Sequence, residues 1–201
     1  MSVPPAPSTL DEADRAALLQ LARRAISESF SGREPSLVAA ERRPALERKA
    51  GAFVTLRRRA THELRGCVGY IEPVHPLWQT VAKAAVSAAI RDPRFPPVAA
   101  IELDALALDI SVLGAPAPIR GEDVVVGRHG LVVERSGRRG LLLPQVPLEW
   151  GWDRVAFLEH ACGKAGLSPS AWRDAETRLL AFTAEVFADD APSHDAQRRD
   201  E

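Results

Sequence analysis

Cysteine is scarce in this chain: its 201 residues hold two, Cys67 and Cys162. Two thiols form no disulfide framework, and they are too few for a zinc site built on cysteine alone. Charge of one sign is also missing, with 26 Lys and Arg against 27 Asp and Glu. Dedicated nucleic-acid binders carry a basic surplus, so this balance argues against nucleic acid as a partner. No run approaches the roughly 18 consecutive apolar residues that a membrane helix needs, and no membrane association is expected. Residues 1–7 have neither the basic start nor the apolar stretch of a signal peptide, so a cytoplasmic protein is the default expectation. There is no P-loop, no dinucleotide fingerprint, no G-x-S-x-G and no H-E-x-x-H. These absences remove the common routes to nucleotide hydrolysis, serine hydrolysis and zinc proteolysis. No metal site and no cofactor is expected.

What is present is an ordinary globular composition, 46% apolar, in a length that suits one large domain with its own core. Residues 1–9 are Pro-rich and read as a disordered lead, 10–188 as a single domain, and 189–201 as a disordered polar tail. Ser8 and Thr9 ahead of Asp11 and Glu12 signal a helix start. Ala17, Leu18, Leu21, Ala22, Ala25 and Ile26 then recur at helical spacing, up to a stop near Gly32. Residues 52–56 and 64–70 read as two strands of a hairpin around a charged turn. Leu77, Val81, Ala84, Ala85 and Ala88 make an alanine-rich helix that Asp92-Pro93 ends.

Residues 105–113 alternate, with Leu106, Leu108, Ile110 and Val112 on a buried face and Asp109 and Ser111 on the other. Val124-Val125-Val126 fits a short strand. Ser136-Gly137 marks a second hairpin, between 130–134 and 139–143. Asp153 is placed to cap a helix ending before Gly166, and residues 180–187 read as one last strand. Hairpins dominate and strands do not alternate with helices. The expected fold class is therefore α+β, a mainly antiparallel sheet flanked by helices.

The segment with the most chemical promise is Leu64-Arg65-Gly66-Cys67-Val68-Gly69. Glycine weakens a strand and is tolerated where backbone bends or another group approaches closely. Cys67 has two readings. Free cysteine is commonly a small core residue; beside Arg65, which could favour the thiolate, it is a candidate nucleophile. His62 is the histidine nearest in sequence and could serve as a base, although solvated or structural histidines are the commoner case. His129, ahead of Gly130 in a turn, could offer a nitrogen to a pocket. Asp92 and Arg94 either pair and lock their loop or bind an anionic group. Glu102 and Glu149 have no partner identifiable from spacing. The basic run at 57–59 reads as a solvated turn.

Several blocks in fixed order resemble the AMMECR1 family. They are the hexapeptide 64–69, Asp92-Pro93-Arg94-Phe95-Pro96-Pro97, His129-Gly130-Leu131, Gly140-Leu141-Leu142-Leu143-Pro144-Gln145-Val146 and Lys164-Ala165-Gly166-Leu167. The likeness spans about residues 10–188. Val68 stands where isoleucine is more usual, and Tyr70 where a small polar residue is. The resemblance implies a larger lobe plus a small lobe and an antiparallel sheet. It also implies membership of a system with a Memo-type protein and a radical SAM protein. The resemblance gives a fold but no mechanism; the residues themselves make Cys67 the candidate nucleophile, with Arg65, Gly66, Gly69, Asp92, Arg94, His129 and Gln145 as candidates for binding a small anionic ligand or a partner. Two functions follow as expectations: a cysteine-dependent enzyme acting on a small molecule, or an adaptor that presents the hexapeptide to a partner protein.

Overall fold

The computed structural model describes residues 10–33 and 43–189. The elements run α1 (Glu12–Ser29), α2 (Pro44–Glu47), β1 (Ala52–Arg58), β2 (Leu64–Tyr70), α3 (Leu77–Ile90), β3 (Leu106–Leu113), β4 (Ala117–Pro118), β5 (Gly130–Arg135), β6 (Arg138–Leu142), α4 (Val146–Glu149), α5 (Arg154–Lys164), β7 (Arg178–Phe182) and β8 (Ala184–Ala188). The α+β class is as the alternation and hairpin signals require. The strands, however, divide into two four-stranded sheets, in the orders β2-β1-β3-β8 and β4-β7-β5-β6. The chain accordingly forms two compact units. One comprises Leu10–Val112 with the segment that begins at Val186, and the other comprises Leu113–Glu185. The expectations for 1–9 and for the tail beyond Asp189 fall outside the described residues.

In the first unit α1 begins at Asp11 rather than at Ser8 or Thr9. The Asp11 carboxylate accepts from the Asp14 N–H at 2.7 Å, and Asp14 returns the bond to the Asp11 N–H at 3.1 Å. This reciprocal box satisfies two of the open donors of a helix start. Arg43 reaches both carboxylates. α1 and α3 bury Leu18, Leu21, Ile26, Leu77, Val81 and Ala85 in one core with Val54, Leu56, Leu108 and Ile110 of the sheet. β1 pairs with β2 and with β3, antiparallel in both cases. The alternation of β3 correctly marks its core face. The opposite face is less open than the polar residues there suggest, since Ser111 is buried and Asp109 half-buried.

Asp189, assigned by sequence to the tail, is tied down. It accepts from the Leu108 N–H at 2.9 Å and from Arg59 at 3.2 Å, and it pairs with Arg23.

In the second unit Ser136 and Gly137 both take positive φ, 49° and 77°, the geometry of a tight hairpin whose twist matches its strands. Asp153 caps α5 by accepting from Ala156 N–H at 2.8 Å. Residues 124–126 do not form a strand. The Val125 carbonyl accepts from the N–H groups of Arg128 and His129, and Gly127 has a φ of 81°, so the backbone is committed to a turn. The single strand expected over 180–187 is two, broken at Thr183, and the halves join different sheets. The alternation read along the sequence runs through Thr183 without a mark, whereas burial in the structure does not alternate: β7 is buried from Leu179 to Phe182, and β8 is half-buried with Val186 exposed.

α3 lies on β2 through Gly66. A Cβ added there would stand 2.1 Å from the Ala88 carbonyl oxygen, which is backbone and cannot turn aside. Gly66→Ala should therefore lower stability by about 3 kcal/mol or more, on the scale of overpacking a rigid core. Gly163, exposed in α5 with open space where a methyl would stand, should behave oppositely. Gly163→Ala should raise stability by about 0.5–1 kcal/mol, because glycine is the poorer helix former. Urea unfolding of the two variants checks both signs.

Candidate functional site at the edge of strand β2

β2 is an edge strand, so among the described residues one side of its backbone has no neighbouring strand. The turn after α3 supplies the missing partners at one residue. The buried carboxylate of Asp92 accepts the Cys67 N–H at 2.8 Å, and Arg94 donates to the Cys67 carbonyl at 3.4 Å. A donor and an acceptor thus stand in for a strand at Cys67, one of the ways natural sheets blunt an open edge. The two side chains also hold each other. Arg94 Nη2 lies 2.7 Å from Asp92 Oδ2, Nε lies 3.0 Å from Oδ1, and the Arg94 N–H adds a bond at 3.1 Å. The guanidinium holds the Asp92 carboxyl far below the ordinary carboxylate range, outweighing burial, which pushes the other way. Asp92 in turn raises the Arg94 pKa. The Arg94 side chain remains 53% exposed while that of Asp92 is 3% exposed. The pair is a buried foot with an open cation on top.

The Cys67 side chain is half-buried. Thr55, its partner across the hairpin, donates its hydroxyl to Sγ at 3.2 Å. Thr55 also faces Asp109 on β3, so a polar row crosses three strands, with Arg57 bonded to Asp109 at 3.3 Å. Thr55 carried no signal of its own in the sequence. The hairpin register, had it been known, would have placed it opposite Cys67. No histidine bonds Cys67 among the described residues. His62 sits in the hairpin turn with a φ of 57°, and its place is about 10 Å or more of strand away from Cys67.

Arg65 is not beside the thiol. Leu56 pairs with Gly66 and Arg57 with Leu64, so a bulge leaves Arg65 with no residue opposite. A bulge re-aims side chains, and Arg65 is buried in a clamp. It bonds both oxygens of Glu102 at 3.1 Å and the carbonyl of Pro96 at 2.9 Å. Arg65, bonded to Glu102, lowers that carboxyl's pKa, and the Ala99 N–H adds to the effect. Glu102, which spacing left without a partner, is thus the anchor of Arg65. Gly66 admits α3, and Gly69 lies under the ring of Phe53, its cross-strand neighbour. Three of the eight residues singled out are therefore committed to architecture.

His129 and Gln145 belong to the other unit. His129 is buried, and its Nδ1 accepts the Val125 N–H at 3.1 Å. Burial, helped by Arg128, keeps its imidazole pKa low. Gln145 precedes α4 and is half-buried. No cluster of three or more metal-ligating side chains occurs among the described residues. No described helix is long and apolar enough to cross a membrane.

The Asp92 contacts make a pH-dependent contribution. Its pKa is lower folded than unfolded, so its stabilisation is complete above about pH 4, the unfolded value, and is lost as pH falls below that. Asp92→Ala should cost about 2–3 kcal/mol at pH 7, the scale for charge-assisted bonds whose loss strands a buried partner. The gap to the parent should narrow below about pH 4. Denaturant titrations at pH 7 and pH 3 measure it; a gap that widens in acid would contradict this account.

The pattern of the AMMECR1 family matches residues 19–187. A protein of Thermococcus gammatolerans is 46% identical over 191 residues, covering 90% of this chain and 93% of that one. Protein MK0488 of Methanopyrus kandleri is 41% identical over 204 residues, covering 96% and 95%. The crystal structure of the uncharacterized protein PH0010 from Pyrococcus horikoshii superposes with a TM-score of 0.82 at 45% identity, covering 86% of this chain and 90% of that one. With its two sheets, its hexapeptide edge strand and these relatives, the chain belongs to the AMMECR1 family.

Proposed function

We propose that the chain acts on a small anionic substrate, with Cys67 Sγ as the reacting atom and Arg94 holding the negative group. One observation carries this reading. A single buried carboxylate, Asp92, fixes the backbone of the only half-exposed cysteine and an open guanidinium together. A loop lock alone would not need the cation to stay half in solvent while bonded to the backbone of Cys67. The guanidinium is a planar fork suited to carboxylate or phosphate. The Thr55 hydroxyl, bonded to Sγ, orients the sulfur.

Alkylation tests the arrangement. An anionic reagent should be drawn to Arg94, a neutral one should not. The rate ratio of iodoacetate to iodoacetamide at Cys67 should exceed that of glutathione by about five-fold, the effect of about 1 kcal/mol of charge attraction. Arg94→Gln should return the ratio to that of glutathione. Cys162 should stay unmodified, being fully buried with its pKa pushed up by that burial. A ratio for Cys67 equal to that of the free thiol removes Arg94 from the site.

A second reading is an adaptor role, and one observation favours it: no side-chain base contacts the thiol among the described residues. The partners it would serve are those the family resemblance implies, a Memo-type protein and a radical SAM protein. In this case Cys67→Ser leaves binding of the Memo-type protein within two-fold, and Arg94→Ala weakens it by about ten-fold, the cost of an interfacial charge pair. Surface plasmon resonance with both variants decides; a loss with Cys67→Ser alone would speak for the sulfur and against a purely presenting role.

A further inference from the structure

A cleft of about 850 Å³ runs along the solvent side of α3 in the first unit, between that helix, the end of α1 and the end of β2. Its size falls in the range of small-molecule sites. Its lining contains none of Cys67, Asp92 and Arg94, so it stands apart from the site above.

Two rows along α3 build it. Trp78, Ala82, Val86 and Ile90 follow one another at every fourth position and make an apolar floor. Gln79, Lys83, Ser87 and Arg91 make a polar row beside it. Tyr70 of β2 closes one side, its hydroxyl 3.1 Å from Ser87 Oγ, and Arg33 enters from the end of α1. Among the described residues, three Lys and Arg side chains therefore line the cleft, and no Asp or Glu does.

That imbalance is unusual here. The chain has one more acid than base overall, and Arg23, Arg43, Arg57, Arg59, Arg65 and Arg135 each sit against a carboxylate. Arg33, Lys83 and Arg91 make no ion pair among the described residues. Lys83 Nζ lies 3.0 Å from His75 Nε2, a single contact for a group with three donors. Glu47 accepts the Trp78 indole N–H at 3.4 Å.

Cations that have no ion pair among the described residues, over an apolar floor and flanked by an indole and a phenol, recognise a particular kind of molecule. We propose that this cleft binds a small organic anion with a flat apolar body: the ring system lies against Trp78, Val86 and Ile90, and its phosphate or carboxylate meets Lys83 and Arg91. The apolar rings supply burial and stacking, and the cations supply the charge that neither floor nor wall provides.

The test titrates the full-length, isotope-labelled protein with three probes, followed by amide NMR. They are 4-methylumbelliferyl phosphate, neutral 4-methylumbelliferone and inorganic phosphate. The phosphorylated dye should give saturable shifts confined to α3, Tyr70 and the end of α1, and it should bind at least about ten-fold tighter than either half alone. Charge reversal at two exposed positions, Lys83→Glu with Arg91→Glu, should weaken it by a further ten-fold or more while the melting temperature and the Cys67 alkylation ratio stay unchanged. That last readout separates failure of this cleft from failure of the thiol site. The proposal is overturned by an absence of saturable shifts from the dye phosphate, by shifts that map elsewhere, by inorganic phosphate binding as tightly as the dye, or by a charge-reversed variant that binds equally well.

Discussion

Helix α3 can rest on strand β2 only because position 66 has no side chain. Its Ala88 carbonyl occupies the space where a Cβ would be. Everything of interest in the first unit is placed by that contact. It brings the C-terminal turn of α3 to the open edge of β2, where Asp92 and Arg94 take the Cys67 N–H and carbonyl. It also leaves the far side of α3 facing outward, where the cationic cleft forms. A helix standing off by the width of a methyl would lengthen the Asp92 bond beyond hydrogen-bond range and loosen the thiol site without touching it.

The hexapeptide is therefore two things interleaved. Arg65, Gly66 and Gly69 serve the scaffold: a clamp onto Glu102 and the proline loop, a seat for a helix, and a place for the Phe53 ring. Cys67 alone presents an atom with chemistry of its own. Its neighbours explain why it is held so rigidly rather than what it reacts with. The bulge at Arg65 is what separates the two roles, since a regular strand would have set Arg65 and Cys67 side by side on one face.

Much of this was legible in the chain. Period-two and period-3.6 patterns located β1, β2, α3, β3 and α5, and Asp153 and Ser136-Gly137 marked a cap and a turn that are both present. Three features were not legible, each for a physical reason. The bulge depends on pairing between strands, which local pattern does not contain. The break at Thr183 is silent because the sequence alternation runs straight through it, while the burial of the two halves follows the different sheets they join. The Arg65–Glu102 pair joins residues 37 apart, and no spacing rule reaches across a fold. Asp92 and Arg94 were visible as a pair, but their shared hold on an edge-strand amide belongs to three dimensions.

Thr183 has one further consequence. The chain leaves the first sheet after β3, builds the whole of Leu113–Glu185, and returns in β8 beside the strand it left. At the neck of this insertion the Gly114 N–H donates to the Thr183 carbonyl at 2.8 Å. Once the inserted unit has folded, its two ends are already adjacent, and β8 meets β3 as though joined by a short link. The entropy of closing that long loop falls on the insert, which its own core repays, and hardly at all on the host sheet. The adjacency of its two ends lets the chain resume the host sheet as if uninterrupted, so that Asp189, 81 residues beyond Leu108, still bonds Leu108, Arg23 and Arg59 of the first unit.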